Sequence, residues 1–295
     1  MIREDISMNT LVSYIDGLIQ NNVGYEVLII NLLTNELDKN LKETMKTVSN
    51  FILGYRFAIV FQNVGNEFTL IYRKDAYKLS SKFKTLQAQL SRIEEKMGIS
   101  FSYLVVKDTE VFDSGEDFLY TIREYLETAV HDKLRKADSV CTFTKDDYDR
   151  LKEQQATKKM IEEALQEDRI EIFLQPIYSA AKKKFVSAEV LARIIDKDGT
   201  IIPPYKFIDV AERTGLISRV EDVVFEKACK FVQDYNLWDF DDEFVINKCS
   251  SSVCIRYKTI RAIKRAIRKW KLPIGTTIEC TGRYVCDTYV FQVTK

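Results

Sequence analysis

The first half of the chain alternates short apolar runs with longer stretches of helical spacing. Runs rich in β-branched and aromatic residues predict strands at Tyr25–Leu33, Phe57–Gln62, Phe68–Tyr72 and Phe101–Val106. Apolar residues at helical spacing predict helices at Glu36–Phe51, Lys78–Met97 and Asp117–Val130. A turn at Asn63–Asn66 joins the second and third strands. This β-α-β-β-α-β order, with a tight hairpin at its centre, predicts a ferredoxin-like α+β domain over residues 1–144.

The second half follows a different pattern and contains all four prolines. Residues 145–167 are charged, favour helix and lack Gly and Pro, which predicts a linker helix. Beyond the linker, strands are predicted at Ile170–Tyr178, Phe185–Ile194, Phe244–Asn247 and Thr276–Thr281. Helices are predicted at Tyr205–Thr214, Val220–Tyr235 and Lys258–Trp270. Successive β/α units predict an α/β domain with a parallel sheet, open or closed, over residues 168–295.

Composition narrows the class of protein. Hydrophobic residues make up 46% and charged residues 30%, which is typical of a soluble globular chain. The formal net charge is +0, so the overall charge does not indicate nucleic-acid binding. The six cysteines form no Cys-x-x-Cys pair and His131 is the single histidine, so no zinc site is expected.

The sequence also gives an expectation about the compartment. The first ten residues are charged and lack the apolar core of a signal peptide. The longest apolar run, Val27–Leu33, is interrupted by Asn31 and is too short to cross a bilayer. Scattered cysteines are typical of a reducing compartment. We therefore expect a cytoplasmic protein without a membrane span.

Five short motifs follow one another in the second half. They are Phe173-Leu174-Gln175-Pro176-Ile177, Ala188-Glu189-Val190-Leu191-Ala192-Arg193, Pro204-Tyr205-Lys206-Phe207-Ile208, Val245-Ile246-Asn247 and Ile278-Glu279-Cys280-Thr281. In order and spacing they resemble the first half of an EAL domain, the cyclic-di-GMP phosphodiesterase family. The resemblance implies a partial (β/α) barrel that binds cyclic-di-GMP. It implies ligand contacts from Gln175, Leu191 and Arg193, with Arg193 on a phosphate, and a metal held by Glu189, Asn247 and Glu279.

The residue types agree with these implied roles. On a strand, Glu189, Leu191 and Arg193 point to the same face, where two charges are costly unless the face meets a ligand or metal. Asn247 and Glu279 stand at or near the ends of their strands, where barrel enzymes place their chemistry. Two carboxylates and an amide suit Mg²⁺ or Mn²⁺. The alternative is that Glu189 and Arg193 form an ordinary ion pair on a sheet surface.

The second half also departs from the family. A complete barrel takes about 250 residues, and residues 157–295 supply about half of that. The family's later motifs have no counterpart, and Gly282-Arg283 replaces a second glutamate expected after Thr281. We therefore expect a C-terminally truncated EAL domain. Hydrolysis of cyclic-di-GMP would be lost or incomplete in this chain alone, and a homodimer contact or a larger partner would complete the barrel.

The central hairpin of the first half carries a weaker resemblance. Val64-Gly65-Asn66-Glu67-Phe68 resembles the Gly-Gly-Asp-Glu-Phe motif of GGDEF domains. Asn66 replaces one carboxylate, and Asn31 stands where the first metal-binding aspartate is expected. A cyclase needs these carboxylates to hold Mg²⁺ against nucleotide phosphates, so a degenerate domain without diguanylate cyclase activity is expected. By themselves the same five residues are typical of an ordinary turn.

Two further features have plain interpretations. Arg256–Lys271 is basic with an apolar stripe, which is typical either of a barrel helix with a solvated face or of a helix for an anionic surface. His131 ends a predicted helix, where it would favour the C-terminal dipole.

The sequence thus predicts a tandem GGDEF–EAL protein of cyclic-di-GMP signalling. The rival is a non-catalytic module for nucleotide binding or protein interaction.

Overall fold

A computed structural model describes residues 2–33, 41–63, 66–128, 131–134, 136–137, 139–235, 245–250, 269, 277–282 and 288–292. For residues 245–250, 277–282 and 288–292 it describes the backbone only. The chain divides into two units, Met1–Lys152 and Glu153–Lys295, with the division inside the predicted linker helix.

The first unit is built on a mixed sheet. Its described strands are β1 (Tyr25–Leu33), β2 (Ile59–Gln62), β3 (Glu67–Arg73), β4 (Ser100–Val106) and β5 (Val140–Phe143). They lie in the order β2-β3-β1-β4-β5. β1 is antiparallel to β3 and β4, β2 is antiparallel to β3, and β5 is parallel to β4. The four predicted strands are present, and β5 is a strand that the sequence pattern does not indicate.

Helices pack on both sides of this sheet. They are α1 (Ile2–Gln20), α2 (Leu41–Leu53), α3 (Leu79–Met97), α4 (Gly115–Thr128) and the short α5 (His131–Leu134). β1 is apolar on both faces: Val27 and Ile29 pack into the core under α1 and α4, whereas Leu28 and Ile30 pack into the core under α2 and α3. Successive side chains of a strand point to opposite faces, so an apolar run such as β1 is stable at the sheet's centre.

The predicted linker is a single helix, α6 (Lys145–Gln166). Thr144 and Asp147 start it with a reciprocal cap. The Thr144 N–H donates to Asp147 Oδ2 at 3.0 Å, and the Asp147 N–H donates to the Thr144 hydroxyl at 3.4 Å. Leu151 packs in the core of the first unit, while Ile161 and Ala164 pack in the core of the second.

The second unit contains two described sheets. β6 (Ile170–Ser179), β7 (Lys184–Ile195) and β8 (Ile201–Ile202) form one, in which each neighbouring pair is antiparallel. β9 (Val245–Ser250), β10 (Thr277–Gly282) and β11 (Thr288–Gln292) form the other, where β9 and β10 are parallel and β11 is antiparallel to β10. β7 and β9 are in contact.

The expectation of a parallel sheet is wrong for β6 and β7. Only residues 180–183 separate the two strands, whereas a parallel connection needs a crossover of about a dozen residues or more. Lys183 takes a left-handed conformation in this turn, at φ 51°. The expectation holds for β9 and β10. The predicted helix Lys258–Trp270 between them lies outside the described residues except for Lys269.

Helices α7 (Ile208–Arg213) and α8 (Ile217–Asp234) cover one face of the β6–β7 hairpin. Ile170, Val190 and Ile194 pack there against Phe207 and against apolar residues of both helices. β11 is a further strand that the sequence analysis does not predict, although Thr288–Gln292 is a short β-rich run. Among the helices in the described ranges, none has the length and apolarity needed to cross a bilayer.

Gly115→Ala should destabilise the first unit. A Cβ on Gly115 would lie 2.3 Å from the Val12 carbonyl oxygen, a backbone atom that can move only if α1 shifts away from α4. Overpacking of this kind costs about 1–3 kcal/mol. The measurement is the urea midpoint followed by circular dichroism.

Gly17→Ala is the matched control, because nothing lies within 4 Å of the new Cβ in α1. Replacing glycine by alanine inside a helix stabilises it by about 0.5–1 kcal/mol. Equal shifts of the midpoint in the two variants would contradict the close approach of α1 and α4.

Candidate functional site

The β6–β7 hairpin gathers the predicted ligand-binding residues on one face. In the antiparallel register Gln175 is opposite Glu189 and Phe173 is opposite Leu191, with Arg193 two residues further along β7. Residues directly opposite each other on paired strands, and residues two apart on one strand, project to the same side of a sheet. The backbone pairing alone therefore places these side chains together.

The other face of the hairpin is the buried one. Val190 and Ile194 are 4% and 0% exposed beneath α7 and α8. On the site face Gln175 is exposed, while Glu189 and Arg193 are half-buried. Among the ion pairs found between described side chains, none joins Glu189 to Arg193.

Arg193 has an ordered setting on this face. Its Nη1 donates to the Ala192 carbonyl oxygen at 2.8 Å. Its guanidinium carbon lies 5.4 Å from the centre of the Phe173 ring, which is 40% exposed. An arginine over an aromatic face gains a cation–π attraction and loses freedom of orientation. The guanidinium keeps most of its five N–H donors for another group.

The predicted metal ligands come from three strands. Asn247 on β9 and Glu279 on β10 are direct partners in the parallel pair, so they stand on the same face of their sheet. Their side chains lie outside the described residues. The Glu189 strand contacts β9. Two carboxylates and an amide oxygen are a donor set that suits Mg²⁺ or Mn²⁺. Among the described side chains, no group of three His, Cys, Asp or Glu residues could hold a metal ion.

A charged cluster beside the hairpin was not predicted from sequence. Lys227 of α8 donates to Glu171 Oε1 at 2.9 Å and lies 3.0 Å from Asp168 Oδ1. Glu171 is the direct cross-strand partner of Arg193. Burial lowers the pKa of Lys227, but its bonds to Glu171 and Asp168 outweigh that effect, so the net shift is upward. No local pattern reveals this cluster, because Lys227 and Glu171 are 56 positions apart.

The central hairpin of the first unit forms a second polar site. Val64 and Gly65 lie outside the described residues, but Asn66 to Phe68 are within them. Glu67 is the antiparallel partner of Asn31. The GGDEF resemblance predicts that Asn31 stands in place of a metal-binding aspartate. Asn31 and Glu67 line a cavity of about 310 Å³, together with Arg123 of α4.

Glu67 is held by a short hydrogen bond in this cavity. Asn63 Nδ2 donates to Glu67 Oε1 at 2.5 Å and to Thr69 Oγ1 at 2.8 Å. Burial raises the pKa of the Glu67 carboxyl above its ordinary value of 4.5, and the Asn63 bond and the Arg123 charge offset this only in part. The protein therefore keeps a carboxylate that folding disfavours in its charged form.

The two remaining sequence features stand as follows. Residues 256–268, 270 and 271 of the basic segment lie outside the described residues. His131 starts the short helix α5 rather than ending a helix. The expectation that it favours a C-terminal helix dipole is therefore wrong.

Comparison with known proteins finds a family resemblance within the second unit. Residues 158–269 match the family model of the EAL domain. The signaling protein YkoW of Bacillus subtilis is 34% identical over 114 residues, which is 39% of this chain. The cyclic di-GMP phosphodiesterase NbdA of Pseudomonas aeruginosa is 26% identical over 109 residues, which is 37% of this chain. This chain spans 14% of the length of each of these relatives.

A solved structure gives a more distant match. The FimX EAL domain from Pseudomonas aeruginosa, bound to c-di-GMP, is 17% identical at a TM-score of 0.35. The match covers 42% of this chain and 49% of that one.

Glu67→Gln should stabilise the first unit at pH 7. Between pH 4.5 and the raised folded pKa, the native state binds a proton that the unfolded state has lost, so Glu67 lowers stability as the pH rises. Glutamine keeps an acceptor for Asn63 and has no charge to bury. Hydrogen exchange of the β1 and β3 amides should slow at pH 7, with the difference from wild type vanishing below pH 4.5.

Glu127→Gln is the control for this variant, because Glu127 lines the same cavity but is exposed. It should leave β1 and β3 exchange close to wild type across the same pH range. A constant effect of Glu67→Gln at every pH would contradict the link to ionisation.

Proposed function

We propose that this chain is a cytoplasmic cyclic-di-GMP signalling protein whose second unit binds the dinucleotide on the β6–β7 face. The observation that carries the proposal is the position of Gln175, Leu191 and Arg193 on the face turned away from the α7–α8 core. The EAL-domain match over residues 158–269 supports it. So does the similarity to a relative named as a cyclic di-GMP phosphodiesterase.

Each residue has a role that fits this ligand. Cyclic-di-GMP carries two negatively charged phosphodiesters, and the planar guanidinium of Arg193 suits phosphate oxygens better than a point charge does. Gln175 is exposed and can both donate and accept hydrogen bonds to a base or a phosphate. Leu191 adds apolar surface between these polar groups.

The proposed metal site lies next to this face. Glu189, Asn247 and Glu279 would hold Mg²⁺ or Mn²⁺, since their oxygen atoms match what these ions prefer. When bound, such an ion supplies positive charge beside a phosphodiester. Glu189 stands opposite Gln175 across the hairpin, so the residues proposed for metal and for ligand are direct neighbours in the sheet.

Binding without hydrolysis is the second candidate. It is favoured by Gly282 at the end of β10, where the family resemblance leads us to expect a second glutamate. A glycine has no side-chain oxygen to bind a metal or orient water. Under this alternative the chain is a cyclic-di-GMP-binding or protein-interaction module.

For the first unit we propose a degenerate GGDEF-like domain of ferredoxin-like topology. The strand order β2-β3-β1-β4, with antiparallel pairs throughout, supports the topology. The hairpin position of Asn66 and Glu67 supports the likeness to the GGDEF motif. Diguanylate cyclase activity is not expected, because Asn31 and Asn66 stand where metal-binding carboxylates are needed.

Arg193→Ala should weaken cyclic-di-GMP binding by roughly 10- to 100-fold, since hydrogen bonds to charged groups contribute about 1.5–3 kcal/mol. Isothermal titration calorimetry in the presence of Mg²⁺ measures the change. Arg213→Ala is the control, because Arg213 is an exposed arginine on α7 and its loss changes the net charge equally. Similar losses in both variants would mean that overall charge, rather than the hairpin face, determines affinity.

Glu189→Gln should remove the metal dependence of binding. We expect Mg²⁺ or Mn²⁺ to strengthen cyclic-di-GMP binding by wild type and to have little effect on the variant, which has lost a charged ligand. Titrations with metal and with EDTA measure this, and Glu153→Gln, at an exposed position of α6, is the control.

The same samples decide between the two candidate functions. Formation of the linear dinucleotide by wild type and its loss in Glu189→Gln would indicate a phosphodiesterase. Metal-dependent binding without product would favour the binding module.

A further inference from the structure

In the hairpin register an acidic residue stands directly opposite Arg193, where it could pair with Arg193 in place of a phosphate. Glu171 on β6 is its direct cross-strand partner. Side chains in such positions have Cβ atoms about 4.5–5.5 Å apart, and opposite charges there attract each other. From the backbone alone, Glu171 and Arg193 should form an ion pair. That pair would neutralise the cation proposed to bind a phosphate.

The structure shows a different pairing. The Glu171 carboxylate accepts a hydrogen bond from Lys227 Nζ at 2.9 Å. Asp168 Oδ1 also lies 3.0 Å from this ammonium. The Lys227 side chain is only 22% exposed, so α8 packing holds it in place. Within the described residues, no carboxylate is paired with Arg193.

Arg193 is instead directed along its own strand face. Within the described residues it lies over the Phe173 ring and donates a hydrogen bond to a backbone carbonyl oxygen. Both contacts are to neutral groups, so neither offsets the positive charge of the guanidinium. Phe173 is two residues from Glu171 on β6, and the two contacts therefore draw Arg193 and Glu171 in different directions.

We propose that Lys227 is a positioning residue for the ligand site: by holding Glu171, it keeps Arg193 on Phe173 and available to an anionic phosphodiester. The ligand assignment rests on the proposed cyclic-di-GMP function. The pairing itself depends only on the geometry of Glu171, Arg193 and Lys227.

Replacing Lys227 releases Glu171 to its cross-strand partner. In Lys227→Met, cyclic-di-GMP affinity should fall about two- to fivefold, the range set by exposed ion pairs. Glu171→Gln in the Lys227→Met background should restore it, because glutamine cannot neutralise Arg193. Glu171→Gln alone should stay within about twofold of wild type.

A charge-matched double variant separates the effect of the Glu171–Arg193 pair from the effect of net charge. Asp168→Asn in the Lys227→Met background restores the same net charge as Glu171→Gln but leaves Glu171 free. It should remain as weak as Lys227→Met. Asp168 has φ 52°, a conformation that asparagine tolerates. Equal recovery in the two double variants would show that charge alone acts and would overturn the proposal.

A second measurement does not depend on cyclic-di-GMP. The rate at which phenylglyoxal modifies Arg193 in the full chain, read by peptide mass spectrometry, reports whether its guanidinium is paired. The rate should fall in Lys227→Met and return in the variant that also carries Glu171→Gln. The rate at Arg213 is the internal standard and should not change if the unit remains folded.

The two measurements test the role of Lys227 and the proposed nucleotide function separately. An unchanged Arg193 rate in Lys227→Met would overturn the positioning role, whatever the nucleotide does. The expected labelling pattern in a chain that does not bind cyclic-di-GMP would confirm the role of Lys227 and refute the proposed function.

Discussion

The second unit depends on one constraint, the two-sided character of the β6–β7 hairpin. Val190 and Ile194 must be buried under α7 and α8, and a strand alternates its faces with a period of two. Glu189 and Arg193 are therefore forced to the opposite side. A one-residue slip in register would bury both charges, so the core and the site are fixed by the same pairing. The register of that pairing shifts between Ile177 and Tyr178, beyond the paired site residues.

Ion pairs and hydrogen bonds also hold the charged residues around the hairpin in fixed positions. Arg169 is 15% exposed and bonds Glu167 at 2.7 Å and the Ile195 carbonyl oxygen at 2.7 Å. Lys227 likewise donates a hydrogen bond to Glu171. Isolated exposed pairs add little stability, about 0–1 kcal/mol each. Their larger effect is on placement, because Glu171, which shares the site face with Arg193, is already bound to Lys227.

Features that a local pattern determines could be predicted from the sequence. The bounds of Tyr25–Leu33 follow from a continuous apolar run, and the shared face of Glu189 and Arg193 follows from strand parity. The direction of β7 did not follow, because strand composition does not encode pairing direction, although the four-residue connection was a usable signal. The contact between Lys227 and Glu171 joins distant positions through α8 packing, and no single sequence reveals such a contact.

The charged residues on the hairpins of the two units have different surroundings. At the first hairpin, Asn31 stands opposite Glu67 and Asn63 donates a hydrogen bond to it, so amides surround one carboxylate. Two further carboxylates at Asn31 and Asn66 would repel Glu67 unless a cation stood between them. Amides at these positions remove that repulsion. On the second hairpin Arg193 keeps a charge that no described acid neutralises. An uncompensated charge on an open face gains most from an incoming anion, which is why we propose nucleotide binding at the second unit.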